Sequence, residues 1–217
     1  MKMNSQLRKK IQLVIFDLDG VLVDACEWHY ESLNRALLDV KKFQINREDH
    51  MKNFNGLPTK SKLEILKRRV LIAENDVDKI WKAKQSYTVD VIRENSLHDD
   101  TKVKMLKGLS DMGYRVACVT NSIRETAELM LEKTGQKRWL ELILSNEDVN
   151  NPKPDPEGYQ RAMEYFSCSP ENTLILEDSE RGLAAAKGSG ANFHKVESPD
   201  DLDLMYLVNK IVLAEKS

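Results

Sequence analysis

The sequence predicts an α/β fold in which a parallel sheet packs between helices and a helical segment is inserted after the first strand. From about residue 95 onward, short apolar runs alternate with segments of helical periodicity. Strands that alternate with helices form right-handed crossovers and therefore a parallel sheet. Before residue 95 the pattern differs, because one apolar run at 11–16 precedes a purely helical stretch at 25–94. We therefore expect a core domain built from residues 1–24 and 95–217, with residues 25–94 as a separate α-helical cap domain.

The segment 25–94, called the helical insert below, contains three amphipathic stretches. Each stretch repeats apolar residues with the 3.6-residue period of a helix. The sequence FNGLPT at 54–59 is expected to form a loop, because Asn-Gly and Pro favour turns. The predicted helices carry their buried positions at Leu33, Ala36, Leu37 and Val40, then at Leu63, Ile65, Leu66 and Val70 within 58–72, and finally at Val77, Ile80, Trp81, Thr88 and Val91.

The core segments contain helix-start signals. One helix opens with the capping-box spacing Ser122-x-x-Glu125. Another begins at Asp155-Pro156, since proline suits the first helical turn. The predicted strands are 11–16, 114–120, 141–145, 173–177 and 191–196, and the predicted core helices are 101–112, 122 to about 135, a segment from 155 onward, and 180–187. This arrangement is a Rossmann-like three-layer core. Ligands of such sheets bind at the carboxyl ends of the strands, and the helical insert should cover that edge as a lid does.

The composition is that of an ordinary globular protein and excludes several functional classes. Of 217 residues, 41% are hydrophobic and 31% are charged, and the formal net charge is -2. Such a chain has no strong field to recruit nucleic acid or an anionic membrane. Three scattered cysteines fit a reducing compartment. No apolar run approaches the roughly 18 residues of a membrane span, and the basic start lacks the apolar core of a signal peptide. We expect a cytoplasmic protein that is a monomer or a weak dimer.

The segment FDLDGVLVD at 16–24 places carboxylates at the end of the first predicted strand. Asp17 and Asp19 are two residues apart, so they face the same side, and Gly20 lets the chain turn away at once. Two carboxylates this close can share a divalent cation or divide the roles of nucleophile and acid/base. Alone, the segment is equally compatible with an Asp-Gly turn whose aspartates are solvated. Asp24 is expected to mark the hinge into the helical insert.

Three further segments bring polar groups to the same edge of the predicted sheet. The strand at 114–120 ends in TNS, whose hydroxyls and N–H groups suit an anion, and the strand at 173–177 ends in EDS, whose acids suit Mg²⁺. The prolines of NPKPDP hold a lysine in a stiff segment. Each segment alone has an ordinary interpretation, namely a helix cap for the first two and a solvated lysine for the third. Together they match a metal-assisted reaction on a phosphoryl group, with Thr120, Asn121, Lys153, Glu177 and Asp178 as candidate site residues.

The ordered segments FDLDGVLVD, VTNS, NPKPDP and LEDSERG resemble the four motifs of the haloacid dehalogenase superfamily of phosphohydrolases. The helical insert resembles the cap of its β-phosphoglucomutase-like branch, and the likeness covers nearly the whole chain. The second aspartate and the paired acids resemble the Mg²⁺-dependent phosphotransfer members rather than the dehalogenases. The resemblance therefore implies a phosphohydrolase that uses Mg²⁺ and acts on a small phosphorylated metabolite.

The resemblance also implies a role for each matching residue. Asp17 would attack phosphorus and become an aspartyl-phosphate. Asp19 would protonate the leaving oxygen and then activate water. Thr120 and Lys153 would hold phosphoryl oxygens, with help from the backbone N–H of Asn121.

The metal site that the resemblance implies uses the same strand ends. Mg²⁺ would be held by Asp17, by the backbone carbonyl oxygen of Asp19, and by Asp178, with Glu177 close by. A cation and a lysine would offset the repulsion between an attacking carboxylate and a phosphate dianion.

Two polar residues interrupt the apolar faces of the helical insert. His29 lies four residues before Leu33, and Lys84 lies seven residues from both Val77 and Val91. An isolated histidine is usually a satisfied core residue, and a lysine usually extends to solvent. Because the insert should cover a phosphate site, we expect both residues to face the substrate, as similar polar cap and hinge residues do in the β-phosphoglucomutase-like branch.

The helical insert departs from the mutases in one respect. The mutases have a cap-loop arginine for a second phosphate, in the loop that FNGLPTK resembles, and Thr59 stands at that position here. Lys60 or Lys62 could supply the missing charge, and we expect Gly56 and Lys60 to contact the substrate. The missing arginine nevertheless favours a phosphatase over a mutase.

Three functions remain after this comparison. The leading hypothesis is a Mg²⁺-dependent phosphatase that acts on a sugar or polyol monophosphate. The second hypothesis is a sugar phosphomutase. The third is a catalytically idle member that binds a phosphorylated ligand or a protein partner, which conflicts with the fact that every expected catalytic position is filled.

Overall fold

The computed structural model describes residues 10–216 and has a parallel sheet at its centre. The strands are β1 (Leu13–Phe16), β2 (Arg115–Val119), β3 (Leu142–Leu144), β4 (Thr173–Glu177) and β5 (Asn192–Lys195). Their order across the sheet is β3-β2-β1-β4-β5, and every pairing is parallel. The α/β prediction is confirmed, and the differences from the predicted strands lie at strand ends. The basic start of the chain, residues 1–9, lies outside the described residues.

The central position of β1 determines where the chemistry can occur. Leu13 is in register with Arg115 of β2 on one side and with Thr173 of β4 on the other. Because β1 is paired on both edges and covered on both faces, its sequence LVIF is a continuous apolar run rather than an alternating one. The residues that follow β1, β2 and β4 therefore meet at one edge of the sheet, as the sequence predicts.

Helices cover both faces of the sheet and complete the three layers. The helices are α1 (Cys26–Lys41), α2 (Arg47–Asp49), α3 (Thr59–Arg68), α4 (Glu74–Asn95), α5 (Asp100–Asp111), α6 (Arg124–Lys133), α7 (Glu157–Phe166), α8 (Glu180–Ser189) and α9 (Leu204–Lys216). Val14 and Phe16 face a cluster with α5, α6 and α9, whereas Leu13 and Ile15 face α7 and α8. No helix within residues 10–216 is long and apolar enough to cross a membrane.

The helical insert contains α1 to α4 and has its own apolar cluster. Leu33 and Leu37 of α1 pack with Leu63 and Leu66 of α3 and with Ile80 of α4. A π-helical turn at His50–Phe54 connects α2 to the loop before α3. The predicted helical character of residues 25–94 is therefore confirmed, and the apolar periodicity of α1 correctly predicts its buried face.

The predicted end of the second insert helix was wrong. The helix α3 stops at Arg68 rather than continuing to Ile72, because Val70 has a φ of 60° and turns the chain. Val70 was expected on the apolar face, but it is 88% exposed, and Ile72 is buried instead. The sequence analysis also missed the C-terminal helix α9, whose Leu207 packs in the core cluster.

Candidate active site

The carboxyl end of β1 delivers two aspartates into a tightly enclosed turn. The backbone N–H of Asp17 donates to the carbonyl oxygen of Leu176 at 2.9 Å, which prolongs the pairing of β1 with β4. Gly20 then adopts a φ of 92°, a conformation that favours glycine. A Cβ at this position would lie 2.3 Å from Oδ2 of Asp178, so Gly20 also leaves room for that carboxylate.

Lys153 joins the ends of β1 and β4 through two buried ion pairs. Its Nζ lies 2.6 Å from Oδ1 of Asp17 and 2.5 Å from Oε1 of Glu177. The Tyr159 hydroxyl donates to the same Oε1 atom at 2.7 Å, and Lys153 Nζ lies 4.8 Å from the centre of the Tyr159 ring. Burial alone would lower the pKa of Lys153, but the charges of Asp17 and Glu177 raise it well above the ordinary value. The ammonium is therefore charged at neutral pH.

Glu177 is held rigidly at the end of β4. Its Oε2 accepts hydrogen bonds from the backbone N–H groups of Asp178 and Ser179 and from the Ser179 hydroxyl. A Cβ on Gly182 would lie 1.8 Å from Oε1, so this glycine provides the space that the carboxylate occupies. Glu177 therefore positions Lys153 and has little freedom to move.

Three carboxylates form an acidic cluster at this edge. Asp17, Glu177 and Asp178 each offer an oxygen, and these oxygens lie within 4.8 Å of one another. Burial and the Glu177 charge raise the pKa of Asp17 well above its usual value and that of Asp178 to about 7. Oδ1 of Asp178 is buried and has no hydrogen-bond donor among residues 10–216. A hard cation with oxygen ligands fits this donor set, since it would satisfy the unpaired oxygen and relieve the repulsion.

Asp19 points away from the acidic cluster and is held by donors from β2 and from α1. Its Oδ1 lies 2.8 Å from Nε2 of His29, and its Oδ2 accepts from the hydroxyls of Ser122 at 2.8 Å and Thr120 at 3.3 Å. Burial alone would raise the pKa of Asp19, but His29 and Ser122 lower it to about 2. Because the Lys84 ammonium, 3.4 Å from Nδ1 of His29, can only donate, Nδ1 accepts and Nε2 carries the proton toward Asp19.

The Asn121 side chain ties the helical insert to the loop that carries Lys153. Its Nδ2 donates to the carbonyl oxygens of Gly56 at 3.0 Å and Lys153 at 3.1 Å, and its Oδ1 accepts from the backbone N–H of Lys153 at 3.0 Å. The side chain is therefore occupied by structural contacts. The predicted contact between substrate and the Asn121 backbone N–H stays a prediction.

The capping box predicted at Ser122 does not form. The helix α6 begins at Arg124, whose backbone N–H donates to Oε2 of Glu147, and its first-turn cap involves no side chain of Ser122. The Ser122 hydroxyl bonds Asp19 instead. The hydroxyl that would have capped α6 instead connects the residues that follow β1 and β2. Ser122 is therefore a site residue that the sequence analysis did not select.

The helical insert forms the opposite wall of the cavity. His29, Gly56 and Lys84 line the same cavity as Asp17 and Asp178, so the structure brings these predicted residues together. The remaining predicted residues that line it are Asp19, Asn121, Lys153 and Glu177. Thr120 is buried beside the cavity and reaches it through its hydrogen bond to Asp19.

Of the two lysines that could supply the missing charge, Lys62 lies at the cavity and Lys60 does not. Lys60 is exposed and does not line the cavity, whereas Lys62 is 4% exposed and does. Lys62 lies four residues before Leu66, on the buried stripe of α3. The signal that selected His29 and Lys84, a polar residue on an apolar stripe, would therefore also have found Lys62.

Comparisons with known proteins identify the family of this chain. The family described as haloacid dehalogenase-like hydrolase matches residues 14–196. The pyrophosphatase PpaX of Bacillus cereus is 28% identical over 184 residues, which cover 83% of this chain and 81% of that protein. A phosphorylated carbohydrates phosphatase of Thermotoga maritima is 27% identical over 183 residues, covering 83% of this chain and 82% of that protein.

Solved structures confirm the fold. A β-phosphoglucomutase from Clostridium difficile superimposes with a TM-score of 0.80 at 20% identity, covering 94% of this chain and 98% of that one. The family match extends from β1 through the residue after β5 and includes the three segments that supply the acidic cluster and Lys153. On this evidence the chain belongs to the haloacid dehalogenase-like hydrolases and is an enzyme of that family.

Proposed function

We propose that this phosphohydrolase is a Mg²⁺-dependent phosphatase that hydrolyses a small phosphorylated metabolite, a sugar or polyol monophosphate, through an aspartyl-phosphate on Asp17. The observation that carries the proposal is the buried pairing of Asp17 with Lys153 beside the acidic cluster. A carboxylate held against a cation in a buried site can approach a phosphate dianion that it would otherwise repel. The phosphatases among the relatives of this chain support the same reaction class.

In the first step, an Asp17 oxygen forms a bond to phosphorus while the bond from phosphorus to the leaving oxygen breaks. Lys153 neutralises charge on the phosphoryl oxygens, and the Thr120 hydroxyl donates a hydrogen bond to one of them. Because Asp19 is ionised in the free site, it must take up a proton from solvent by way of His29 before it gives a proton to the leaving oxygen, which departs as an alcohol. The products of this step are the aspartyl-phosphate and an ionised Asp19.

In the second step, Asp19 accepts a proton from a water molecule as that water attacks phosphorus. The bond from phosphorus to Asp17 breaks, and inorganic phosphate and a free Asp17 carboxylate result. The hydrogen bonds from His29 and Ser122 favour the ionised form of Asp19, which is the form that this step requires. His29 is also the neighbour through which Asp19 can exchange a proton between the two steps.

Asp17, Asp178 and the backbone carbonyl of Asp19 would hold Mg²⁺, with Glu177 acting through Lys153 rather than as a free ligand. When bound, the cation supplies positive charge that offsets the charge on the phosphoryl oxygens. Within residues 10–216, Oδ1 of Asp178 has no hydrogen-bond partner, which supports this assignment. We also propose that residues 25–94 act as a cap over a core of residues 1–24 and 95–217, because His29, Gly56 and Lys84 enclose the cavity from above.

Hydrolysis of a generic aryl phosphate tests the mechanism. Asp17→Asn is expected to lower kcat about 10⁴-fold or more, because it removes the nucleophile, and chelation of divalent cations is expected to abolish turnover. Asp24→Asn is the matched control, since Asp24 belongs to the same segment but is exposed. Intact turnover in Asp17→Asn would show that the proposed mechanism is wrong.

A sugar phosphomutase is the second candidate. The buried Lys62 favours it, because this lysine can compensate for the cap-loop arginine that the chain lacks. Thr59 stands where the mutases have their arginine, and Lys62, three residues later, lines the cavity and can supply that charge. Incubation with a hexose 1-phosphate and a trace of hexose bisphosphate separates the candidates. Isomerised sugar phosphate that forms faster than free phosphate would favour the mutase.

A further inference from the structure

The cavity between the helical insert and the core is small. Its volume is about 50 Å³, which is room for a few water molecules. Pockets that bind small metabolites usually have volumes of about 300–1,000 Å³. A phosphorylated metabolite can therefore reach Asp17 only when the insert moves away from the core, and the contacts that hold the insert in place must break at that moment.

Two core side chains bind the residues Asn55–Gly56 of the insert, called the insert tip below. Nη1 of Arg181 donates to the carbonyl oxygen of Asn55 at 3.3 Å, and Nδ2 of Asn121 donates to that of Gly56 at 3.0 Å. A Cβ on Gly56 would lie 3.6 Å from Cβ of Ser179, so the backbone of the tip also packs against the residues that follow β4. The core therefore holds the tip at two consecutive carbonyl groups.

Local interactions do not explain an arginine at position 181. Arg181 is the second residue of α8, where a cation meets the positive end of the helix dipole. Its charge also lies close enough to Lys62 to lower the pKa of that lysine. Among residues 10–216 it forms no ion pair, and its hydrogen bond is the one to the insert tip. This contact with the insert is the favourable interaction that the position provides.

The insert tip is also adjacent to the part of the insert that contacts Asp19. The Asn55 side chain lies beside the thiol of Cys26, the first residue of α1. One turn further along α1, Nε2 of His29 lies 2.8 Å from Oδ1 of Asp19. Because the tip and the start of α1 are neighbours, a contact that keeps the tip on the core also keeps His29 in its place.

We propose that Arg181 is a positioning residue whose hydrogen bond to the Asn55 carbonyl holds the insert tip on the core, and that this bond breaks each time the cavity opens. The inference rests on the proposed role of the insert as a cap. Arg181 acts through the insert rather than on the reacting groups, because it does not line the cavity. Asn121 supports the same tip but also holds the loop of Lys153, so Arg181 is the residue whose effect can be measured separately.

The thiol of Cys26 can report the opening of the insert. Cys26 is half-buried, and burial together with the charges of Asp19 and Asp178 raises its pKa to about 12. Displacement of the insert tip exposes this thiol and lowers its pKa, so it reacts faster with iodoacetamide. The rate of alkylation at Cys26, measured by peptide mass spectrometry, therefore follows the opening. Cys168, a half-buried thiol of the core, is the internal reference.

Three variants test the role of Arg181. Arg181→Met keeps most of the side-chain length but removes the donor, and it is expected to accelerate alkylation of Cys26 about threefold to tenfold, the effect of one hydrogen bond. The rate at Cys168 should not change. Arg181→Lys, which keeps a donor, should give a smaller acceleration. Arg93→Met is the matched control, because Arg93 is an exposed arginine on α4 of the insert.

Turnover of an aryl phosphate distinguishes positioning from catalysis. The closed insert makes the same contact before the substrate enters and while it reacts, so Arg181→Met should keep kcat/KM within about twofold of the wild type. A larger loss would place Arg181 at the reacting groups and overturn the proposal.

The labelling result decides the proposal independently of the proposed phosphatase function, because it needs neither substrate nor turnover. Selective acceleration at Cys26 in an enzyme that hydrolyses no phosphate ester would reject the phosphatase function and retain this inference. An unchanged rate at Cys26 in Arg181→Met would overturn the inference. Equal acceleration at Cys26 and Cys168 would also overturn it, because it would indicate a general loss of stability.

Discussion

The two walls of the cavity are charged in opposite senses. On the core wall, Asp17, Glu177 and Asp178 surround a single lysine, so acidic groups are in excess. On the insert wall, Lys62 and Lys84 have no acidic partner among the described residues, so basic groups are in excess. The core wall is therefore arranged to receive a cation, and the insert wall is arranged to receive an anion.

The difference indicates that the core wall carries the reacting groups and that the insert wall determines which substrate binds. The core groups hold one another in place through direct hydrogen bonds, which keeps reacting atoms in a fixed geometry. The insert groups leave their charges available to a ligand. Changes on the core wall should consequently lower the rate for every substrate, whereas changes in the insert should alter substrate preference or stability.

Among changes that keep every charged side chain of the site, the largest effect is expected from Gly20→Ala, which crowds the core wall. Gly20→Ala places a methyl group 2.3 Å from Oδ2 of Asp178, so the acidic cluster must move, and kcat is expected to fall about a hundredfold or more. Gly113→Ala is the matched control, because Gly113 has a φ of 79° but nothing within 4 Å of an added Cβ. Both variants should lose stability in thermal unfolding, but only Gly20→Ala should lose activity. An active Gly20→Ala enzyme would contradict the proposed role of Asp178.

A smaller effect is expected from removal of the Tyr159 hydroxyl, which bonds the same Glu177 oxygen as Lys153. Tyr159→Phe keeps the ring but removes the hydrogen bond to Oε1 of Glu177, so Lys153 is drawn toward Glu177 and away from the phosphoryl group. We expect kcat to fall about tenfold with KM nearly unchanged, the size of one charge-assisted hydrogen bond. Tyr165→Phe on the same helix, where Tyr165 is 63% exposed, serves as control. Equal kcat values in the two variants would show that the Tyr159 hydroxyl does not help to position Lys153.

In the helical insert, His50 should make stability depend on pH. Both of its ring nitrogens are buried and have no hydrogen-bond partner in the described part of the chain, and burial lowers its pKa to about 3. The unfolded chain binds a proton at His50 below about pH 6.5, whereas the folded chain does so only near pH 3. The free energy of unfolding should therefore decrease as pH falls from about 6.5 toward 3.

Substitution at His50 measures this contribution. In urea unfolding series between pH 7 and pH 4, His50→Phe should lose less stability than the wild type, because the proton-binding site of the unfolded chain is gone. His98→Gln, which removes a half-exposed histidine, should follow the wild-type curve. Parallel curves for His50→Phe and wild type would show that other groups determine the acid response.

The smallest effect is expected at the turn after α3. Val70 is 88% exposed and has a φ of 60°, a left-handed conformation that costs a β-branched residue about 1–2 kcal/mol. Val70→Asn should raise the free energy of unfolding by about 1 kcal/mol and the melting temperature by about 3 °C. Val70→Ala should gain less, since alanine tolerates this conformation less well than asparagine. No activity change is expected for either variant.

The residues of the core wall could be predicted from the sequence, because in a parallel sheet the residues that follow the strands lie at one edge. The apolar runs identified β1, β2 and β4, and parallel strands bring their carboxyl ends to one edge. Asp17, Asp178 and Lys153 then lie together as a consequence of fold class. Thr120 likewise reaches Asp19 because β2 is adjacent to β1.

The remaining site residues depend on contacts that local pattern does not contain. Ser122 fits a capping box in sequence, yet its hydroxyl bonds Asp19 across the sheet edge. Tyr159 of α7 is buried in an apolar cluster, but its hydroxyl bonds Glu177 at the end of β4, a contact that no local pattern contains. Lys62 is the exception, because its place on the buried stripe of α3 could have distinguished it from Lys60 in the sequence alone.

The central position of β1 also has a consequence for the order in which the chain folds. Thr120 and Asp19 are separated by 101 positions, and Lys153 and Asp17 by 136. During synthesis, β1 emerges first but has no strand partner until β2 has been made, and its second partner β4 comes later still. The helical insert, whose own apolar cluster includes residues of α1, α3 and α4, can collapse in the meantime. During synthesis, the insert wall with Lys62 and Lys84 can therefore form before the core wall, which needs β1, β2 and β4 together.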